Sequence, residues 1–149
     1  MNPVSPKLIT ARYLGRLPWI VVALVVFAVL GVVFSAWFHL GTAAALALLL
    51  WQMWLIPAQV KLLGWQETED ELLITKGRLW HTFTVVPYGR IQYVDVTAGP
   101  FERWLGMKTL QLHTASATSD AVVQGLPAET ADALRGRLAA RARERMSGL

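Results

Sequence analysis

Between Leu17 and Val60 the chain carries no Asp, Glu, Lys or Arg, and nearly every position is apolar. One membrane-spanning helix needs roughly 20 such residues, so this stretch is long enough for two. The only polar interruption with turn character is "HLGT", His39 to Thr42. The pattern predicts a transmembrane α-helical hairpin at about residues 17–38 and 41–60, after an N-terminal segment 1–16. A cleaved signal peptide is the competing reading, because Lys7, Arg12 and Arg16 precede the apolar run. The run is longer than a signal core, however, and a second apolar segment follows it.

From Lys61 onward the texture changes. The acidic group Glu67, Glu69, Asp70 and Glu71 marks the exit from the apolar region. "ELLITKGRLWHTFTVVP" reads as two strands around Lys76-Gly77, with Phe83 and Val85 alternating against Thr82 and Thr84 as in a half-buried strand. "IQYVDV" follows a turn at Pro87 to Arg90. Val94 and Val96 share one face, and Ile91 is out of phase, which predicts a bulge. "PFERWLG" reads as a short helical turn: Pro100 suits the first position, Glu102 the positive end of the dipole, and Gly106 the residue past the end. "KTLQLHT" then points Leu110 and Leu112 inward and Thr109, Gln111 and His113 outward. After the strand "AVVQG", a helix over about 127–146 carries one apolar stripe, Ala131, Leu134, Leu138, Ala142 and Met146.

Composition adds compartment and orientation. The 149 residues are 54% hydrophobic, with a net charge of +4 and no cysteine. Thiol nucleophiles, thiolate metal sites and disulfides are therefore excluded. The basic balance favours an anionic membrane surface over nucleic acid once an anchor is present. Lys7, Arg12, Arg16 and Lys61 flank the two spans while the connecting turn has no fixed charge, so the positive-inside rule places both termini and the soluble half in the cytoplasm. Trp19, Trp37, Trp54 and Trp65 lie near predicted span ends, where indole anchors at the membrane interface. The hairpin's few polar residues, Ser35, Thr42, Gln52 and Gln59, describe an anchor rather than a transport pathway.

The stretch "LLITKGRLWHTFTVVPYGRIQYVDVTAGPFERWLGMKTLQLHTA", with "GLPAETADALRGRL" after it, resembles the bacterial pleckstrin-homology (PH) domain family of membrane proteins, YdbS-like members in particular. The resemblance covers roughly residues 65–140, and the two preceding spans are similar to the family's anchored arrangement. It implies an α+β PH-like domain over 61–149, with two roughly orthogonal antiparallel sheets capped by the C-terminal helix. It also implies a membrane protein and does not imply an enzyme; the leading reading is a non-enzymatic, cofactor-free interaction or scaffold module in the bacterial inner membrane, with an anionic-lipid-sensing module as the alternative. Its implied partner is another membrane protein, such as a larger relative with repeated PH-like modules. Arg103 and Gly106 stand where the family has its characteristic Arg and Gly. Phe101 and Trp104 are the departures that point to this protein's own partner.

Searching the residues for chemistry yields surfaces rather than a catalytic centre. His39, His81 and His113 have no carboxylate at metal-ligand spacing. Ser116, His113 and Asp120 contain the residue types of a triad without a nucleophile elbow. Two basic features could meet lipid headgroups: the hairpin tip Lys76 and Arg78, and the helical stripe Arg137, Arg141 and Arg145. The small residues Gly41 and Ala43 to Ala47 allow close helix packing, within the hairpin or in a homo-oligomer.

Overall fold

The first helix, α1 (Lys7–Val33), begins well before the apolar run and is joined to α2 (Phe38–Lys61) by a short turn. The computed structural model describes residues 2–77, 80–116, 118 and 120–148. It divides into two compact units: residues 9–58, and a domain made of the N-terminal residues up to Leu8 together with Gln59 onward.

In the helical unit the turn falls at Phe34 to Trp37, not at the expected His39 to Thr42. Ser35 explains the shift: its carbonyl accepts from the Phe38 N–H at 3.2 Å and its hydroxyl from the Trp37 N–H at 3.4 Å. His39 and Gly41 are released for packing. A methyl group on Gly31 would sit 2.7 Å from the His39 ring, and one on Gly41 would sit 2.6 Å from Phe27, so both glycines serve close helix approach. Toward the other end Tyr13 Oη donates to the Met53 carbonyl at 2.8 Å, and Arg16 reaches Gln52 Oε1 at 3.4 Å. Both helices are long and apolar enough to cross a membrane, and only 6% of the most apolar window of each is buried. They are not the core helices of a globular domain.

The domain opens with β1 (Asn2–Pro3), which pairs antiparallel with β2 (Gly64–Glu67). β3 (Glu71–Lys76) and β4 (Thr82–Pro87) complete a four-stranded antiparallel sheet in the order β1-β2-β3-β4. A 3-10 turn at Tyr88–Arg90 leads into the second sheet, β5 (Ile91–Thr97), β6 (Met107–Thr114) and β7 (Ala121–Pro127), also in sequence order. The short helix α3 (Pro100–Trp104) connects β5 to β6. α4 (Ala128–Ser147) follows β7. The register slips between Ile91 and Tyr93, the bulge that the out-of-phase Ile91 predicts.

Leu72, Ile74, Val86, Tyr88, Leu110, Leu112 and Leu126 form the core with Leu134 and Leu138 of α4. Each fully buried large apolar side chain contributes about 1.5–3 kcal/mol. Residues ahead of the first span join this core: Val4 and Leu8 are buried, and the Ser5 N–H donates to the Gly125 carbonyl at 2.7 Å. Residues 1–16 are thus not a plain tail. The apolar stripe of α4 ends at Ala142, and Met146 is exposed.

Two strand expectations are corrected. Phe83 and Val85 point outward, while Val86 and the neighbouring Leu72 and Ile74 fill the interior. Thr109, expected outward, is buried, because α3 lies over that end of β6 and Glu102 accepts its hydroxyl hydrogen. Trp65 is a third correction: it lies on β2 opposite Ile74 and is only 7% exposed, so it is a core residue rather than an interface anchor. Its indole N–H has no hydrogen-bond partner among the described residues.

Candidate functional site

The turn from Gly99 to Gly106 is stitched to the sheet by one carboxylate. Glu102 Oε2 accepts the Gly99 backbone N–H at 3.0 Å, and Oε1 accepts from Thr109 Oγ1 at 2.9 Å. Gly106, with φ of 72°, makes the left-handed exit that a side chain would strain, and its carbonyl takes the Ala128 N–H at 2.9 Å. α3 is therefore held from both ends although none of its own residues is buried. Phe101 and Trp104, three positions apart, share a side of this turn and are 45% and 76% exposed. Arg103 between them is exposed and makes no ion pair among the described residues. Two aromatic rings and a guanidinium on a rigid mount are the groups that dominate protein interfaces.

The basic stripe of α4 has a different fate. Arg137 pairs with Glu67, Nη2 to Oε1 at 2.7 Å with Nε at 3.1 Å. Arg141 Nη1 donates to the Thr68 carbonyl at 2.8 Å and to Tyr88 Oη at 2.9 Å, and Arg145 pairs with Asp70. The three side chains expected to form a lipid-contacting stripe, Arg137, Arg141 and Arg145, are thus bonded within the domain to Glu67, Thr68, Tyr88 and Asp70 while each stays partly exposed. Burial pushes the Tyr88 phenol pKa up, offset in part by Arg141, and the hydrogen bond to Glu67 raises that of Arg137. Lys76 is exposed at the end of β3, and Arg78 lies outside the described residues. Trp19, Trp37 and Trp54 are all exposed on the helical unit.

No metal-holding group of His, Asp and Glu occurs among the described residues. His113 sits between Asp120, 3.2 Å from Nδ1, and Asp95, 3.5 Å from Nε2, and stacks on Tyr93 with ring centroids 4.3 Å apart. Asp120 also accepts the Thr114 N–H at 2.9 Å, while Ser116 Oγ lies 2.8 Å from Thr118 Oγ1. The cluster closes the turn between β6 and β7, with Asp120 held below the ordinary carboxylate pKa chiefly by that backbone N–H.

Among the described residues, seven strands in two antiparallel sheets with a closing helix define a PH-like domain, here with two apolar helices between its first and second strands. The chain belongs to the bacterial PH domain family, whose model matches residues 13–142. That match starts inside α1, so the helical pair is part of the family pattern. None of the curated proteins and none of the solved structures matches the chain.

Sequence reasoning located α3 and its exposed residues from local cues alone. It missed the groove between β5 and α4, lined by residues 91–94 and by Arg135, Ala139 and Arg143. The signal was present in the odd arginines of "RGRLAARARER", which fall off the stripe.

Proposed function

We propose that this protein is a membrane-anchored, non-enzymatic interaction module of the bacterial inner membrane. Its PH-like domain serves as a scaffold within a membrane-protein complex of the cell envelope. The hairpin binds membrane lipids, and the domain faces the cytoplasm, as the flanking cations favour. Chain connectivity supports that arrangement. Asn2 to Leu8 and the segment from Gln59 belong to one folded unit, so both ends of a spanning hairpin lie on the same side. A larger relative with repeated PH-like modules is the candidate partner, with a second copy of this chain as the homo-oligomeric alternative. The observation that carries the reading is the exposed trio Phe101, Arg103 and Trp104 on a turn anchored by Glu102.

The test is extraction of the tagged chain from its host membranes in mild detergent, with mass spectrometry of what stays bound. A stoichiometric membrane protein lost on Trp104→Ala, with the melting temperature unchanged, is the expected result. Recovery of lipid alone would sink the scaffold reading. Lipid sensing through basic surfaces is the second reading. Lys76 favours it, but the pairing of three α4 arginines with the domain's own groups weighs against it.

A further inference from the structure

α4 carries its arginines on two sides, and only one side is spent. Arg137, Arg141 and Arg145 bind groups of the domain itself. Arg135 is exposed and has no ion pair among the described residues. Arg143 is exposed and, among the described residues, gives only its Nε, to the Ala139 carbonyl of its own helix at 3.3 Å. Both arginines line a groove of about 300 Å³ between α4 and residues 91–94 of β5. Among the described residues the groove walls include buried Ile91 and Val94 and exposed Met146, and no carboxylate.

β5 is the edge of its sheet. It pairs with β6 and with no other strand among the described residues, so alternate backbone N–H and C=O groups face away from the sheet. An open strand edge beside an apolar trough is the geometry of strand addition, in which main-chain bonds supply affinity and alternate side chains supply choice. The two unspent cations set the sign of that choice.

We propose that the groove between β5 and α4 takes an extended acidic segment of a partner protein as a further strand on β5, its carboxylates meeting Arg135 and Arg143. The inference rests on the reading of the domain as an interaction module and assigns it a partner chemistry, on a surface separate from α3.

The test uses the full chain in detergent and fluorescein-labelled peptides of about eight residues, a typical strand length. In these peptides Glu alternates with Val, Leu or Tyr in both registers. Saturable anisotropy changes are expected for at least one acidic peptide and not for its Lys counterpart. Arg135→Glu with Arg143→Glu should weaken binding about tenfold or more, and both sites are exposed, so the melting temperature should hold. N-methylation of one alternate set of peptide amides should abolish binding and of the other set spare it. No binding by any acidic peptide, or equal tolerance of both methylated sets, overturns the proposal. So does charge-dependent binding of phosphatidylglycerol vesicles in place of peptide. Trp104→Ala should leave peptide binding intact. A Trp104-dependent complex without peptide binding would defeat this inference alone, whereas peptide binding without any complex would defeat the α3 site.

Discussion

Arg137 reaches across the domain to Glu67, with Nη2 2.7 Å from Oε1, and so ties the middle of α4 to the end of β2. The pair is one rung of a ladder in which Arg141 binds Thr68 and Tyr88, and Arg145 binds Asp70. Successive arginines four apart face successive groups of one turn. The like charges that would repel along a bare helix face are instead each offset by an acceptor.

Removing the inner rung should be measurable. Glu67 is 16% exposed at its side chain and Arg137 49%, so solvent screens the pair in part. Glu67→Gln should cost about 1 kcal/mol, more than an isolated surface pair because two nitrogens bond one carboxylate. A double-mutant cycle with Arg137→Ala, read by urea denaturation, should show coupling. Strict additivity would mean the bridge is idle.

Tyr88 predicts an alkaline limb. Its ring is fully buried, and its hydroxyl donates to the Thr68 carbonyl at 2.8 Å. Because burial raises its folded-state pKa, its contribution is complete below the ordinary phenol range and is lost as pH rises through the raised value. Tyr88→Phe should cost about 1 kcal/mol at neutral pH and flatten the alkaline fall in melting temperature. An unchanged alkaline limb in that variant would assign the effect to other groups.

Asp120 predicts the opposite limb. Its folded-state pKa is lowered, so its contribution is present above the ordinary carboxylate range and disappears as pH falls through the lowered value. Asp120→Asn should melt below wild type at neutral pH, and the two curves should converge in acid. Parallel curves down to the acid limit would show that the charge is not what holds the turn.

Gly125 has φ of 72°, and a methyl group there would lie 2.8 Å from Leu8 Cδ2. Gly125→Ala should therefore destabilise the domain by about 1–3 kcal/mol through backbone strain and collision together. Leu8→Ala should cost about 2–5 kcal/mol by opening a cavity. Proteolysis in detergent micelles would report both, and a Leu8→Ala chain as resistant as wild type would show that the N-terminal residues are dispensable.

Local patterns carried the fold a long way. The out-of-phase Ile91 announced its bulge, and Pro100, Glu102 and Gly106 announced α3 at its observed place. What stayed hidden was long-range. Alternation at Phe83 and Val85 marks two faces of a strand but not which of them meets the core, and that choice is made by Leu72 and Ile74 across the ladder. The spacing of Arg137, Arg141 and Arg145 shows a stripe but not its acceptors, some seventy residues earlier in the chain. Trp65 reads as a membrane anchor only while β2 is unseen. Asn2 and Pro3 are too few to read as a strand at all.

That first short strand also bears on the order in which the protein is made. β1 leaves the ribosome before both apolar helices and Leu8 with the first turn of α1, yet their partners Gly64, Trp65 and Gly125 come after both helices. The domain therefore cannot close until both helices have been synthesised and their two outer ends are free to meet. In the membrane-spanning arrangement proposed above, a chain with only one helix inserted would hold its opening residues across the membrane from their pairing edge. Its sheet would stay unfinished, so in that arrangement completion of the fold doubles as a check on correct insertion.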